Sequence, residues 1–369
     1  MRIVKVVVVD TAGKAGMDFL HMNTADALRA LGVQCEVWTT DTATPSPFVR
    51  KVFVAYSGKR AGRKMGYIVS SLRLPFLLRR SHASVLHLHF FDHPLVHVYW
   101  ASMAHVMGIS VVVTAHDITP LRALPADNLL VQLLYRLADR VVVLHPRLMD
   151  HLKRFSSKVV SIPHGSYGHM AKPSQPGEYV LFFGQLKRTK GLSVLLHALH
   201  LIEERGTRIR LVIRGPDVDR QAHAIAKQIQ DLSLGGRVEF LPGYVPDQHI
   251  APLIKGSAFL VLPYLNGYQS GVLHLAADYG KAVVATDVGA IGQTVREWGN
   301  GMVVSPNDSC DLARAIKTMW DDKQACEEFG ARGRRRIREE SSERTRLMLE
   351  LYQELSGLGE HGLHRGGQG

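Results

Sequence analysis

The chain has 369 residues, 46% of them hydrophobic and 21% charged, the balance of a globular protein of about two to three domains rather than a disordered or fibrous one. Three cysteines, Cys35, Cys310 and Cys326, exclude a disulfide framework and fit a reducing cytosol, and no apolar run reaches the roughly 18 residues of a membrane span or the form of a signal peptide. A net charge of +12 calls for an acidic partner; phosphorylated ligands and anionic membrane surfaces qualify, whereas nucleic acid would bring a motif with interleaved aromatics that the sequence lacks.

The first half alternates strand and helix patterns. Ile3–Val9 reads as a strand running into Asp10, and Met17–Leu31 as a helix with Leu20, Ala27, Leu28 and Leu31 at helical spacing, closed by Gly32. The turn between them, Asp10 to Gly16, has neither the G-x-G-x-x-G spacing of a dinucleotide fingerprint nor that of a P-loop. It leaves open a glycine turn, around Gly13, that lets a ligand approach the backbone. Gln34–Thr39, Val85–Leu88, Ser110–Thr114 and Val141–Leu144 are the next strands.

Three features of this half bear chemistry. Lys59–Arg80 joins Lys59, Arg60, Arg63, Lys64, Arg73, Arg79 and Arg80 to Ile68, Val69, Leu72, Leu74, Phe76 and Leu77. Such a segment suits an anionic membrane, or is an ordinary core-facing helix with a charged outer face. His87 and His89 share one face of a strand, and His93 and His97 one face of a helix. With Asp92 the only carboxylate beside them, a packing or ligand-lining role competes with a metal site. His116-Asp117 follows an apolar strand, where a polar pair faces a ligand, unless Asp117 merely caps a helix.

Pro163–Gly177, rich in Gly, Pro and Ser, interrupts the pattern. The alternation then resumes over Tyr179–Phe183, Ile209–Ile213, Val238–Leu241, Phe259–Leu262, Val283–Thr286 and Met302–Val304. Two such runs predict an α/β chain of two doubly wound, Rossmann-like parallel-sheet domains facing a cleft lined by post-strand turns. We expect domains over 1–165 and 178–340, a linker over 166–177 and a disordered tail over 357–369. Arg332–Arg346 alternates with acids and reads as a solvated helix face.

Two turns of the second half stand out. Phe182–Gly191 places Lys187, Arg188 and Lys190 after one strand, which suits a diphosphate that screens their repulsion, or a solvated loop. Phe259–Val295 reads as strand, glycine turn, helix, strand, a right-handed crossover unit. Its turn, Asn266 to Gly271, offers backbone N–H groups at a helix N-terminus, where a phosphate is stabilised by donors and helix dipole together; an ordinary turn is the alternative.

Together these residues resemble the retaining family-four glycosyltransferases of the GT-B fold over nearly the whole chain. FFGQLKRTKG is similar to the family's F-x-G-R-L-x-x-x-K-G, and VIRG, HDITP and IPHGSY are also typical. The resemblance implies a nucleotide-sugar donor on the second domain and a glycan or lipid-linked saccharide acceptor on the first. It also implies transfer with retention, in polysaccharide or glycoconjugate biosynthesis, and a helix over about 341–356 that packs back on the first domain. Lys190 matches the lysine that neutralises the donor diphosphate, and Ser270, Gly271 and Val272 the turn whose backbone holds it. Gly13 and His116 match residues at the reaction centre, His116 positioning the transferred sugar. Gly215, within VIRG, and the segment of Leu241, Gly243 and Tyr244 fall on the nucleobase and ribose side. Such enzymes need no metal or other cofactor, so cations and helix dipoles stabilise the leaving diphosphate.

The chain departs from the pattern at named positions. The family's Glu-x7-Glu acids would fall where Gly267 and Leu275 stand, Leu275 replacing the acid that holds the donor ribose. Gln185 stands at the usual arginine, whose charge Arg188 or Lys187 could replace, and Gln293 stands at a third acidic position. Gln269-Ser270-Gly271-Val272 resembles a branch that carries QSGV at this point. These losses motivate the alternative of a non-catalytic sugar- or nucleotide-binding subunit of the same fold. If active, the enzyme is expected in the cytoplasm, or peripheral on the inner face of the membrane through Lys59–Arg80.

Overall fold

The computed structural model describes residues 4–11, 17–41, 43, 45–55, 61–90, 93–116, 125–168 and 177–357. The chain divides into two compact units, one of Met1–Pro163 with Ser341–Gly369 and one of His164–Glu340. Of the tail expected over 357–369, residues 358–369 lie outside the described residues, as do Gly13, Lys59, Arg60, Asp92 and Asp117.

The first unit runs β1 (Lys5–Asp10), α1 (Met17–Ala30), β2 (Gln34–Thr40), β3 (Val49–Phe53), α2 (Ala61–Ser81), β4 (Val85–Phe90), α3 (Pro94–Val106), β5 (Ser110–Ala115), α4 (Pro125–Leu137) and β6 (Arg140–Val143). A 3-10 segment, Pro146–Lys158, leads into β7 (Val159–Ser161). The strands form one parallel sheet in the order β3-β2-β1-β4-β5-β6-β7. The order reverses between β1 and β4, as in a doubly wound sheet. β1 is apolar on both faces because both are covered. Val6 and Val8 pack into a core with Leu28, Val37, Val85, Val112 and Val142. Met348, Leu351 and Tyr352 close that same core. Each fully buried Val or Leu contributes about 1.5–3 kcal/mol over an exposed one.

The second unit runs β8 (Tyr179–Phe183), α5 (Leu192–Glu204), β9 (Leu211–Gly215), α6 (Ala222–Asp231), β10 (Val238–Pro242), α7 (Asp247–Lys255), β11 (Ser257–Leu262), α8 (Gly271–Asp278), β12 (Ala282–Thr286), α9 (Ile291–Trp298), β13 (Gly301–Val304), α10 (Ser309–Asp321) and α11 (Lys323–Leu355). Residues of α11 from Ser341 on belong to the first unit. Its parallel sheet has the order β10-β9-β8-β11-β12-β13, reversing between β8 and β11. The α/β, doubly wound class expected from the alternation is what both units adopt.

Three local readings need correction. β3 and β7 carry no expected strand, because β3 is an edge strand whose Arg50 and Lys51 are exposed and β7 has only three residues. β9 begins at Leu211 rather than Ile209 and continues through Arg214 and Gly215, since both pair with β10. The basic stretch near Arg332–Arg346 is not all solvated: Arg334 and Arg344 are 8% and 3% exposed. Arg334 donates to the Tyr279 carbonyl at 3.0 Å, and Arg344 to Pro163 O at 2.7 Å and Thr24 Oγ1 at 3.1 Å. Backbone carbonyls satisfy these guanidinium groups where water was expected.

Candidate functional site

In the second unit, three post-strand turns meet at the carboxyl edge of β8, β9 and β11. After β8, Gly184 adjoins the start of α8, for a Cβ there would lie 3.6 Å from the Val272 side chain. Gln185 is exposed, Arg188 is exposed with its N–H donating to Asp219 Oδ2 at 3.0 Å, and Lys190 is half-buried. Gly191 then starts α5 with φ of 67°, and a Cβ on it would fall 1.9 Å from Pro263 O. Only glycine tolerates both the left-handed conformation and that approach.

The turn after β11 is tied to this one. Leu265 and Asn266 donate backbone N–H bonds to Thr189 O at 2.8 and 3.3 Å. Lys190 Nζ lies 3.5 Å from the centroid of the Tyr264 ring. Tyr264 is 1% exposed, and its hydroxyl is 3.1 Å from Ser270 Oγ. Ser270 is the N-cap of α8, with no capping bond from its side chain. Among the described residues, the first N–H groups of α8, on Gly271 and Val272, donate to no protein acceptor. They present the donors and positive dipole end that hold an anion.

Around this seat the chain is stiffened from behind. His274 Nδ1 bonds Ser270 O at 3.0 Å, and its Nε2 lies 3.3 Å from Glu340 Oε1. A side chain on Gly271 would force Tyr167 to shift, since a Cβ would lie 2.2 Å from its hydroxyl. Tyr167 and Ser166 donate to the Asp278 carboxylate, at 2.8 Å from the amide and 2.5 Å from the hydroxyl. Burial pushes the Asp278 carboxyl up to about 6, against the Ser166 and Tyr167 hydrogen bonds and the nearby His274, which favour its charged form. Tyr264, His274 and Asp278 were not singled out in the sequence. The spacing of His274 four residues after Ser270 was the one available signal, because it places the ring over the N-cap carbonyl.

The remaining second-unit candidates are more scattered. Gly243 N–H donates to Gly215 O at 2.8 Å, joining the ends of β10 and β9. Leu241 and Tyr244 are 47% and 51% exposed, and Tyr244 donates to Asp247 Oδ1 at 3.2 Å. Gln269 adjoins the α8 seat, its Nε2 buried with no hydrogen-bond partner among the described residues. Leu275, on α8, is 8% exposed and offers an apolar side chain with no hydrogen-bonding group.

In the first unit, His116 directly follows β5 and belongs to a group of four histidines. Its Nε2 lies 2.8 Å from His89 Nδ1. His89 stacks on His87 at 4.6 Å and lies against His21 at 3.8 Å between ring centroids. His87 bonds Tyr352 Oη at 2.6 Å and Thr114 Oγ1 at 2.7 Å, and His21 Nε2 lies 3.7 Å from Asp10 Oδ2. Burial, seconded by neighbouring histidines and the Arg344 guanidinium, holds all four well below the usual imidazole range. They are neutral near pH 7. His87 and His89 thus pack and hydrogen-bond within the core, while His97 bonds His93 O at 3.2 Å on α3. Among the described residues no cluster of His, Cys, Asp and Glu could hold a metal ion.

Each of the two units matches a known domain model. Residues 16–166 match the model described as Glycosyltransferase Family 4, and residues 177–322 the model described as Glycosyl transferases group 1. The alpha-maltose-1-phosphate synthase of Mycolicibacterium smegmatis is 26% identical over 292 residues, covering 68% of this chain and 74% of its own length. A phosphatidyl-myo-inositol mannosyltransferase of Mycobacterium leprae is 27% identical over 333 residues, covering 85% and 86%. Among solved structures, Anabaena HepE in complex with UDP-glucose superposes with a TM-score of 0.71 at 17% identity, over 95% of this chain and 98% of that one.

Proposed function

This chain is a glycosyltransferase carrying the paired domains of family four, and we propose that it transfers a sugar, with retention, from a nucleoside-diphosphate donor to a glycan or lipid-linked saccharide. One observation carries the donor assignment. Lys190, Tyr264, Ser270 and the N-terminus of α8 converge within a single unit. A cation and a helix N-terminus at one place are what a leaving diphosphate requires, since both stabilise charge that grows as the glycosidic bond breaks. The relatives add support, for their names include glycosyl- and mannosyltransferases, and the structural neighbour HepE was solved in complex with UDP-glucose.

On this reading Lys190 neutralises the diphosphate, and the backbone of Gly271 and Val272 receives its oxygens. Arg188, Gln185 and Gln269 complete the phosphate side. Gly215, Leu241, Gly243 and Tyr244 line the nucleobase and ribose, with Leu275 behind them. His116 orients the transferred sugar, and Gly13 lets it approach the backbone of the first unit. The departing phosphate oxygen deprotonates the acceptor hydroxyl on the same face of the sugar. The reaction needs no metal or other cofactor on this reading, because Lys190 and α8 provide the charge stabilisation. Gln269-Ser270-Gly271-Val272 resembles the QSGV of a branch that lacks the first glutamate, and on this reading the chain belongs with it.

Calorimetry with UDP and GDP tests the donor assignment. Binding of one of them, lost in Lys190→Ala, supports it; no binding at millimolar concentration overturns it. Leu275, apolar and buried where an acid was expected, favours a second reading, a non-catalytic sugar- or nucleotide-binding subunit. Consumption of any sugar nucleotide by the purified protein would eliminate that reading.

The acceptor side extends to an anionic membrane surface. No helix among the described residues is long and apolar enough to cross a membrane. α2, however, exposes Met65 (61%), Ile68 (49%), Leu72 (58%) and Phe76 (58%) on one face, while Tyr67, Leu74 and Leu78 are buried on the other. Its outer face is therefore apolar where a core-facing amphipathic helix would carry charge. Arg73, Arg79 and Arg80 flank this stripe, and Arg50, Lys51 and Arg73 line an open cavity of about 340 Å³ between β3 and α2. Apolar surface with surrounding cations is the composition of a helix that lies on anionic lipid, at the cytoplasmic face on this reading.

A further inference from the structure

Lys190 and Ser270 sit on loops that follow different strands, and a single buried side chain touches both. The Tyr264 ring lies under the Lys190 ammonium, 3.5 Å from Nζ to the ring centroid, and its hydroxyl meets Ser270 Oγ at 3.1 Å. Among the described residues Lys190 has no carboxylate partner, so the ring face supplies the electrostatic attraction that holds its ammonium. At the other end, the bond to Tyr264 occupies a Ser270 hydroxyl that makes no capping bond to α8. An N-cap serine normally accepts from the N–H two or three residues on. Held toward Tyr264, this one leaves the helix N-terminus uncovered by any side chain.

Tyr264 is itself immobilised. It follows Pro263, its carbonyl accepts from Thr286 Oγ1 at 2.6 Å, and its ring is 1% exposed. The next two residues are tied to Thr189, next to Lys190 in the chain, at 2.8 and 3.3 Å. A rigid phenol therefore sets where the cation and the helix N-terminus stand with respect to one another. Such setting lowers the cost of ordering Lys190 when an anion arrives, because a long flexible side chain otherwise loses rotamer freedom on immobilisation.

We propose that Tyr264 is the positioning residue of the diphosphate seat, holding Lys190 by its ring face and turning the Ser270 hydroxyl away from the first N–H groups of α8. This rests on the donor reading above and specifies how the seat is kept ready. The ring and the hydroxyl have separable duties. Tyr264→Phe keeps the ring under Lys190 and frees Ser270 to cap α8; Tyr264→Leu removes both.

The test is calorimetry of wild type, Tyr264→Phe, Tyr264→Leu and Lys190→Ala with UDP and GDP, and with uridine and guanosine as probes that lack the diphosphate. For whichever nucleotide the wild type binds, Kd should rise about threefold in Tyr264→Phe and about tenfold or more in Tyr264→Leu. Nucleoside affinity should stay unchanged in both, which a misfolded unit would not allow. If Lys190→Ala weakens nucleotide binding and the two Tyr264 variants do not, the positioning role is overturned while the donor reading stands. Equal losses for nucleotide and nucleoside in Tyr264→Phe would mark a merely structural residue and also overturn it. If Lys190→Ala itself changes nothing, the donor reading fails and takes the proposal with it.

Discussion

His116 Nε2 and His89 Nδ1 face each other across 2.8 Å, so the two rings share one proton. Both are held neutral, and a neutral imidazole has one donor and one acceptor nitrogen. On the proposed reading, the proton's place on His89 therefore dictates which role the other nitrogen of His116 offers a sugar hydroxyl. His89→Phe should lower kcat by about tenfold with a smaller effect on donor KM, the loss of roughly one hydrogen bond's worth of positioning. Steady-state kinetics with the consumed donor checks this, with thermal unfolding of the variant run alongside to confirm an intact fold.

The same histidines make the first unit sensitive to acid. Their folded-state affinities for protons are depressed, so below the unfolded value near 6.5 the unfolded chain binds more protons. Stability of the first unit should be unaffected above that pH and should fall as pH drops through it. The slope is about 1.4 kcal/mol per pH unit for each histidine that stays neutral. Asp278 has the opposite sign: its raised carboxyl, at about 6, makes the second unit gain stability as pH falls from about 6 toward the unfolded value. Hydrogen exchange resolved by segment, at pH 7 and pH 5, should show protection falling in β1, β4 and β5 but not around α8.

Gly191→Ala probes the join between the two loops of the donor seat. The left-handed conformation costs a non-glycine residue about 1–2 kcal/mol, and the added Cβ would also strike Pro263 O. The variant should lose UDP or GDP binding by more than tenfold, together with a measurable fall in Tm. Retention of wild-type binding would mean that the loops are not coupled.

Leu72→Glu with Phe76→Glu places two acids in the exposed stripe of α2 without touching its buried face. Sedimentation with vesicles containing anionic phospholipid should fall at least tenfold for this double variant, and binding should weaken with added salt. Wild-type sedimentation that does not depend on anionic lipid would remove the membrane from the proposal.

Much of this architecture was legible in the residues. Continuous apolar runs such as Val6–Val9 and Phe259–Leu262 carry the mark of strands buried on both faces. Edge strand β3 was not legible, because VRKVF has the composition of a basic surface segment and owes its pairing to β2 alone. At the site, Lys190 and the α8 turn could be found because each lies in the polar turn just beyond an apolar strand. Tyr264 could not, for nothing in a sequence shows that a phenol after Pro263 lies under a lysine 74 positions earlier in the chain. Arg344 was misread for a related reason: alternation of acids and bases describes a helix surface but not which turn of it meets another layer.

Tyr352 and its neighbours have a consequence for synthesis. The core under α1 is closed by Met348, Leu351 and Tyr352, whereas the second unit is one unbroken stretch, His164–Glu340. As the chain leaves the ribosome, the second unit has all its residues before the first does, although the first is translated earlier. Until the last turns of α11 emerge, Val6, Leu28 and His87 lack the layer that covers them, and the nascent first unit is the part with exposed apolar surface that a chaperone would bind.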